Sequence, residues 1–292
     1  MTINNTFDFT DFYNHHNNLV GLKKPSVHML TWLIGFAEGD GSFLITNQSK
    51  SLGKHKIIFL IGQHTKDIQV LEYIQDQLGF GRIEQSAQNM HRYIVNDITH
   101  ISCLLLLFNG NIVMPKFYHR FCIVLEKYNQ RRNNPAATKA SHLPTITIIN
   151  QLKKPALTNA WLSGFTDAEG CFFCNYQTES AKTRSGWKIV FLIGQKYKQN
   201  SFVLHHIAEV FNAGKVRSAP KAGEDFWLFS ITNLKQNLII INYFDTFPLQ
   251  SKKRKSFEKW VSILTALSKK KHQDPIVNAQ LIALAKTINK PE

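Results

Sequence analysis

The sequence predicts an α+β fold built from two pseudo-symmetric repeats, each with one antiparallel sheet and the element order αββαββα, with or without an extra helix. Three observations predict it: a long segment that recurs, the same order of helix-like and strand-like patterns after each copy, and a polar stretch between the copies. At 292 residues the chain can bury a substantial core. A period near 130 residues is far longer than a solenoid repeat, so we expect a duplicated domain.

The duplication is visible when the chain is aligned with itself. Residues 32–43, WLIGFAEGDGSF, recur as residues 161–172, WLSGFTDAEGCF, at an offset of 129 (161 − 32). Residues 56–63, KIIFLIGQ, recur as residues 188–195, KIVFLIGQ, at an offset of 132 (188 − 56). Three residues inserted in a loop account for the difference between the two offsets.

A polar stretch separates the two repeats. It contains Pro135 and Pro144 and has no hydrophobic periodicity, so it is predicted to be a linker. The predicted division is an N-terminal repeat at residues 1–130, a linker at 131–154 and a C-terminal repeat at 155–292.

The other elements follow from the periodicity of apolar residues and from turn residues. Helical patterns cover 67–78 and 201–211, and we expect them to end at Gly79 and Gly214, since glycine favours the left-handed conformation at helix ends. Shorter alternating runs predict further strands, and helical patterns close each half. The predicted strands lie at 81–84, 92–95, 214–217 and 226–229, and the predicted helices at 98–108, 116–128, 234–244 and 252–267.

The charge balance indicates a polyanionic partner. Lys and Arg outnumber Asp and Glu by 35 to 20, a formal net charge of +15, and the basic residues occur throughout the chain. Each phosphate that such a surface neutralises releases counterions, so nucleic acid is the expected partner and an anionic membrane surface the weaker alternative. The composition does not distinguish DNA from RNA.

Membrane spans, targeting signals and disulfides are not predicted. Apolar runs fall short of the about 20 residues that cross a bilayer, and the first 25 residues carry no secretory or transit pattern. The four cysteines are too few for a disulfide framework. Cys171 and Cys174 are three residues apart in a predicted strand, so we expect them on opposite faces and do not expect a metal-binding pair.

Each copy of the recurring segment predicts a helix that packs closely against the other. Gly35 and Gly39 lie four residues apart, as do Gly164 and Ala168, and small residues at this spacing let two backbones approach. Each helix ends in an acidic cluster, so packed helices would bring the clusters together. A divalent cation would relieve the repulsion between the carboxylates, and hard oxygen ligands favour Mg²⁺. Solvated helix ends are the alternative, which recurrence in a basic chain disfavours.

The repeated segment resembles the motif of the LAGLIDADG homing endonucleases of the single-chain, two-motif type. The nine-residue motif aligns without gaps with residues 33–41 and 162–170, and the same order of elements follows each copy. The resemblance covers roughly residues 29–267. It implies that the eighth motif residue, which is Asp40 in the first copy and Glu169 in the second, binds the catalytic metal.

The resemblance also implies the rest of the active site. Glu38 and Asp167, at the sixth motif position, are expected to be structural. The metal, Mg²⁺ or Mn²⁺, is expected to be bound by Asp40 and Glu169 with the adjoining Gly39 and Ala168, and Ca²⁺ is expected to support binding without cleavage. The further catalytic residues implied are Gln63, Gln195, Lys116 and Lys252, with Lys253 or Lys255 as alternatives to Lys252.

The strands after each motif predict a DNA-binding surface. Alternate residues would pack on helices and the others would form a free β surface that can follow the major groove, so two such sheets would form a saddle over two half-sites. Leu44, Ile58, Leu60 and Phe173 are unusual on a polar face, so either they contact thymine methyl groups or the register is displaced by one residue. The predicted DNA-binding residues are Ser42, Leu44, Thr46, Gln48, Lys54, Lys56, Arg82, Glu84, Ser86, Cys171, Phe173, Asn175, Gln177, Lys188, Lys215 and Arg217.

The predicted function is a monomeric, site-specific endonuclease that hydrolyses both strands of a long, pseudo-palindromic DNA site and leaves staggered ends. An intron maturase that binds its own intron RNA, alone or as a second activity, is the alternative. A binding-only regulator is disfavoured by the two acids, and an intein by the lack of a flanking splicing region. The family's usual setting, a mobile intron of an organelle genome, implies a mitochondrial location.

Overall fold

The fold consists of two compact units, Met1–Lys154 with Asn159–Ala168, and Pro155–Thr158 with Glu169–Glu292. It is seen in a computed structural model that describes residues 6–19, 24–47, 55–134, 139–179, 185–219 and 225–290. Each unit contains a four-stranded antiparallel sheet that packs against helices. The predicted α+β class and the duplication are confirmed.

The first unit follows the predicted order of elements with the extra helix at its end, and it adds a short helix at its start. Its sheet has the strand order β1-β2-β4-β3. The elements are α1 (Thr10–His16), α2 (Val27–Asp40), β1 (Gly41–Asn47), β2 (His55–His64), α3 (Ile68–Leu78), β3 (Arg82–Ala87), β4 (Met90–Val95), α4 (Ile98–Phe108) and α5 (Pro115–Arg132).

The second repeat has the same order and adds a helix at its end. Its sheet has the order β5-β6-β8-β7. The elements are α6 (Trp161–Glu169), β5 (Gly170–Gln177), β6 (Gly186–Lys196), α7 (Lys198–Phe211), β7 (Lys215–Ser218), β8 (Phe226–Ile231), α8 (Leu234–Thr246), α9 (Lys253–Ser268) and α10 (Pro275–Ala285). Although α6 begins the second repeat in sequence, its residues up to Ala168 pack with the first unit. The predicted division of the chain, in which the first repeat ends at residue 130 and the second begins at residue 155, stays a prediction.

Helix α2 is buried on all sides and changes into a strand without a loop. The Ser26 hydroxyl accepts from the Met29 amide at 3.1 Å and caps the helix N-terminus. Residues 29–38 are all buried, so the helix needs no polar face. After Asp40 the backbone becomes extended at Gly41 and β1 begins at once. Asp40 therefore lies where the burial of the helix ends.

The two motif helices approach each other at the level of their backbones. A Cβ atom at Gly35 would lie 2.0 Å from the Trp161 carbonyl oxygen. A Cβ atom at Gly164 would lie 1.9 Å from the Trp32 carbonyl oxygen. Both contacts lie within the first unit, and they confirm the close packing predicted from the small residues.

A cluster of aromatic rings fills the core of each unit. The central ring is Phe43 in the first unit and Phe172 in the second. Each lies three residues after the last acid of its motif, Asp40 or Glu169. The surrounding rings, with centroids 4.9–6.3 Å from the central ring, are Phe59, Phe108, Phe117 and Phe121 around Phe43, and Phe191, Phe244, Phe257 and Trp260 around Phe172.

The strand register decides which residues face the core. Phe43 pairs with Phe59, and both are buried. The next residue, Leu44, is 37% exposed, and Phe173 in the second sheet is 38% exposed. The predicted faces are therefore confirmed, and the apolar residues on the free faces are not the result of a displaced register.

Three details differ from the predicted elements. Helix α7 begins at Lys198 and ends at Phe211, and the left-handed backbone of the next residue, Asn212 (φ 46°), closes the helix in place of the expected Gly214. Gly214 is also left-handed (φ 85°) and leads into β7. Helices α1 and α10 were not predicted. Gly79 closes α3 with φ 73°, as expected.

All four cysteines lie in the described part of the chain. Cys174 is buried and Cys171 half-buried, and their strand positions face opposite sides of the sheet. All four cysteines are free thiols. Among the described residues, no helix has both the length and the apolar character needed to cross a bilayer.

Candidate active site

Asp40 and Gln63 meet at the end of α2. Gly41 pairs with Ile61, two residues before Gln63, so the register brings Gln63 beside the end of α2. The Gln63 Nε2 donates to the Asp40 Oδ2 at 2.6 Å. Both side chains are half-exposed. A carboxylate and an amide singled out from the sequence thus form one polar pair.

Glu169 and Gln195 occupy the same register positions in the second unit. Gly170 pairs with Ile193, two residues before Gln195. Glu169 is half-exposed, whereas Gln195 is only 7% exposed. The Gln195 Oε1 accepts from the Asn200 Nδ2 at 3.2 Å. The two units therefore share the arrangement of the acid and the amide but hold the amide differently.

Glu38 holds α6 and the segment before α5. Its Oε1 accepts from the backbone amides of Val113 at 2.6 Å and Met114 at 2.8 Å, and its Oε2 accepts from the Trp161 Nε1 at 2.5 Å. Burial raises the pKa of Glu38 to about 8, and the three donors oppose that shift. The bonds fit the structural role expected of the sixth motif residue.

Asp167 makes the reciprocal contact. The Trp32 Nε1 donates to the Asp167 Oδ2 at 2.9 Å, and Asp167 is 4% exposed. The tryptophan that precedes each motif therefore bonds to the sixth-position acid of the other motif helix. The sequence signal was present as a tryptophan and an acid six residues apart in each copy, but the partner becomes evident only when the two helices are packed.

Lys116 and Lys252 lie at the starts of corresponding helices. The bonds from Val113 and Met114 to Glu38 fix the segment that leads into α5, where Lys116 is exposed in the first turn. Helix α9 begins at Lys253, so Lys252 is the exposed residue immediately before it.

The donor set at each helix end is compatible with a hard cation. Within the described ranges, no group of three or more His, Cys, Asp and Glu side chains is placed to hold a metal. Mg²⁺ does not need such a cage, because one or two carboxylates suffice when water and phosphate oxygens complete its shell. Gly39 and Ala168 could contribute only backbone carbonyl oxygens.

The predicted DNA-binding residues of the first unit lie mainly on its free sheet face. Arg92, which was not predicted, is exposed on this face opposite Glu84, and the alternation of β4 could have revealed it. Ser86 lies at a bulge, and its hydroxyl donates to the Met90 carbonyl at 3.3 Å. Gln48 and Lys54 lie outside the described residues. The pairs across the free face are Ser42 with Leu60, Leu44 with Ile58, Thr46 with Lys56, Arg82 with Ile94, and Glu84 with Arg92.

All the predicted DNA-binding residues of the second unit share one sheet face. Asn289 partly covers Cys171, since its Nδ2 lies 3.5 Å from the sulfur. Exposed Lys196, which was not predicted, lies on the same face opposite Phe226. The pairs across this face are Cys171 with Leu192, Phe173 with Val190, Asn175 with Lys188, Gln177 with Gly186, Lys215 with Ser230, and Arg217 with Leu228.

Taken together, the duplicated α+β fold and the two acidic helix-to-strand junctions define a class of proteins with two corresponding candidate sites. Comparison with known sequences identifies the class. The sequence model described as LAGLIDADG endonuclease matches residues 33–128 and 162–264. The chain belongs to the LAGLIDADG endonuclease family.

Curated relatives include fungal intron-encoded proteins. The "Probable intron-encoded endonuclease 4" of Neurospora crassa is 32% identical over 264 residues, which cover 89% of this chain and 44% of that protein. The "Probable intron-encoded endonuclease Cox1-I1b" of Schizosaccharomyces pombe is 26% identical, over 82% of this chain and 66% of that protein. The chain thus spans less than two thirds of these relatives. A more distant relative, the "Intron-encoded RNA maturase bI4" of Saccharomyces cerevisiae, is 26% identical over 80% of this chain and 32% of that protein.

Solved structures with the same fold include LAGLIDADG meganucleases. A structure described as I-SmaMI bound to uncleaved DNA target in the presence of calcium ions matches with a TM-score of 0.71. The match covers 90% of this chain and 99% of that chain, at 18% sequence identity. At this identity the likeness establishes the fold.

Proposed function

We propose that the protein is a site-specific endonuclease that hydrolyses both strands of a long DNA site and leaves staggered ends. The observation that carries the proposal is the matched pair of acids, Asp40 and Glu169, each at the step from a buried helix to the first strand of a sheet with a free face. The net charge of +15 favours a polyanionic substrate. The family and the DNA-bound structures of the same fold support DNA as that substrate.

The acids would hold a divalent metal. Asp40 and Glu169 supply one carboxylate each, and Gly39 and Ala168 supply backbone carbonyl oxygens beside them. When bound, Mg²⁺ or Mn²⁺ would lower the pKa of a coordinated water and stabilise the leaving oxygen. The calcium ions named for the I-SmaMI complex support divalent metal as a class and favour the proposal that Ca²⁺ permits binding without cleavage.

The amides and lysines would complete each active site. Gln63 donates to Asp40, which supports a role in which its amide would orient the carboxylate and a water beside it. Gln195 would act in the same way at Glu169, because the strand register is the same. Lys116 and Lys252, at the starts of α5 and α9, would offset the charge of the scissile phosphates.

The free sheet faces would read the DNA. Arg82, Arg217, Lys188 and similar residues offer donors to base edges and phosphates, and only some of them would specify bases. The exposed Leu44 and Phe173 would contact thymine methyl groups, which accounts for apolar side chains among polar ones.

The decisive experiment is cleavage of a randomised duplex library by the purified protein in Mg²⁺ and, separately, in Ca²⁺. We expect recurrent cuts at one long, roughly two-fold site in Mg²⁺, and binding to the same site without cleavage in Ca²⁺. Sequencing both ends of the products gives the offset between the cuts. Absence of any recurrent site in Mg²⁺ would contradict the proposal.

RNA binding is the second candidate function, favoured by the relative named as an RNA maturase. Binding of the chain to the RNA of the intron that encodes it, at a Kd well below that for unrelated RNA, would support this activity. Equal affinity for both RNAs would exclude it. The proposed setting is an organellar intron, because the relatives are named for introns, and the proposed working form is a monomer, because one chain carries both acids.

A further inference from the structure

Asn200 lies behind Gln195 in the second unit and has no role in the active site described above. Its side chain is 3% exposed. The Asn200 Nδ2 donates to the Lys196 carbonyl oxygen at 3.0 Å and to the Gln195 Oε1 at 3.2 Å. Its position follows from the start of α7, which Asp225 holds by accepting from the backbone amides of Tyr197 and Lys198.

The orientation of the Asn200 amide is fixed by the backbone. A carbonyl oxygen only accepts hydrogen bonds, so the Asn200 atom that faces the Lys196 carbonyl must be the donor Nδ2. The same donor faces Gln195, and the Gln195 atom opposite it must therefore be the acceptor Oε1. The NH₂ group of Gln195 is left at the other end of the side-chain amide.

In the first unit the orientation of the corresponding glutamine amide, that of Gln63, is fixed by the acid itself. There the acceptor is Asp40, and it selects the Nε2 of Gln63 as its neighbour. Aligning the buried residues of α3 with those of α7 places Asp67 where the second unit has Asn200. An aspartate side chain has no NH₂ group to donate, so the support that Asn200 gives does not recur at Asp67.

We infer that Asn200 is a positioning residue of the second active site, which fixes the side-chain amide of Gln195 with its NH₂ group available to Glu169 and its water. The inference rests on the proposed nuclease function. It assigns different supports to the two sites: the Asp40 carboxylate orients Gln63, whereas the Asn200 side-chain amide orients Gln195.

The test is Asn200→Asp, which keeps the shape of the side chain and removes the donor. The new carboxylate would accept from the Nε2 of Gln195 and turn the amide around. With each strand of the target labelled, we expect single-turnover cleavage of one strand to slow at least about tenfold. The other strand should stay within about twofold, so that nicked duplex accumulates, and affinity in Ca²⁺ should be unchanged. Equal rates on both strands would overturn the inference.

Two controls separate positioning from a general loss of structure. Asn233→Asp makes the same chemical change at the cap of α8, where a carboxylate can still accept from the Lys235 and Gln236 amides, and it should cut both strands normally. The double variant of Asn200→Asp with Gln195→Ala should cut no more slowly than Gln195→Ala alone, because Asn200 acts through Gln195. Additive losses would contradict this role.

A spectroscopic readout tests the inference without cleavage. The side-chain NH₂ resonances of Gln195, identified by their loss in Gln195→Ala, should move in Asn200→Asp and stay in place in Asn233→Asp. If the aspartate variant does not fold, Asn200→Ser is the substitute, because its hydroxyl is too short to reach Gln195. This variant should also move the Gln195 resonances. Unmoved resonances would overturn the inference, whereas a wild-type protein that cuts no DNA would overturn only the proposed function.

Discussion

The motif helix α2 and the strand β1 that follows it are built by opposite rules. In α2, residues 29–38 are buried on every side and Gly35 touches the backbone of another helix. In β1, buried and exposed residues alternate, and Leu44 lies in the open. The comparison teaches that most motif residues serve packing. Asp40 is the last residue of the helix and is half-exposed, so it lies outside the packed part of the helix and is available for the proposed reaction.

The difference in packing can be tested with two glycines that receive the same methyl group. Gly35→Ala would place a Cβ atom 2.0 Å from a backbone oxygen, whereas Gly62→Ala on β2 would place one in open space. We expect the first to lower the free energy of unfolding by about 4 kcal/mol and the second by less than about 1 kcal/mol. Urea unfolding measures both. Equal stability of the two variants would refute the backbone contact.

The buried acid Glu38 predicts a pH dependence of stability. Its pKa rises from 4.5 in the unfolded chain to about 8 in the folded unit. The folded carboxyl binds its proton more tightly, so the contribution of Glu38 to stability is full below pH 4.5 and is lost as the pH rises to 8. Between pH 5.5 and 8 the expected loss is about 3 kcal/mol.

Glu38→Gln removes this titration and is the control. The slope of unfolding free energy against pH should be shallower in the variant, although the variant is less stable at pH 5.5 because its NH₂ group faces the Trp161 donor. Parallel slopes for the two proteins would contradict the assignment.

The reciprocal tryptophan bonds should contribute less. Trp32→Phe removes a donor to buried Asp167, and we expect a loss of about 1–3 kcal/mol because a buried carboxylate loses one hydrogen bond. Trp227→Phe removes a comparable bond to Asp225 that is exposed, and it should cost less than about 1 kcal/mol. Thermal unfolding of the two variants is the measurement, and a reversed order would count against the buried bond.

The free faces should tolerate substitution best and respond mainly in DNA binding. Lys188→Ala should leave stability unchanged and reduce the slope of log affinity against log salt by about one phosphate contact. Lys235→Ala, on the exposed side of α8, is the matched control and should leave the slope unchanged. Titrations of the protein with DNA at four salt concentrations test this. An unchanged slope for Lys188→Ala would show that Lys188 does not contact a phosphate.

Much of this comparison could be predicted from the sequence, because local patterns encode it. The repeat, the class, the packed glycines and the inward phenylalanines follow from periodicity and small residues. Helix α10 was missed although Asp274 and Pro275 form a good helix start, since a short helix without clear amphipathic spacing gives a weak signal. The strand faces were assigned correctly despite Leu44, because alternation outweighs one apolar residue.

Contacts between distant residues could not be predicted from the sequence. The bonds of Glu38 to Val113 and Met114 join residues 75 and 76 positions apart, and no local pattern indicates them. The support of Gln195 by Asn200 depends on the turn between β6 and α7, where Tyr197 has a positive φ of 74°. Packing, rather than residue type, decides these partners.

The most direct test of the central claim compares cleavage with binding in Asp40→Asn and Glu169→Gln. The claim is that these carboxylates serve the chemistry and the sheet faces serve recognition. On the selected DNA site, we expect double-strand cleavage in Mg²⁺ to fall at least about 10³-fold in each variant, equivalent to about 4 kcal/mol. Affinity for the same site, measured alongside, should stay within about threefold of the wild-type value. Loss of binding in both variants, or cleavage at the wild-type rate in either, would contradict the account.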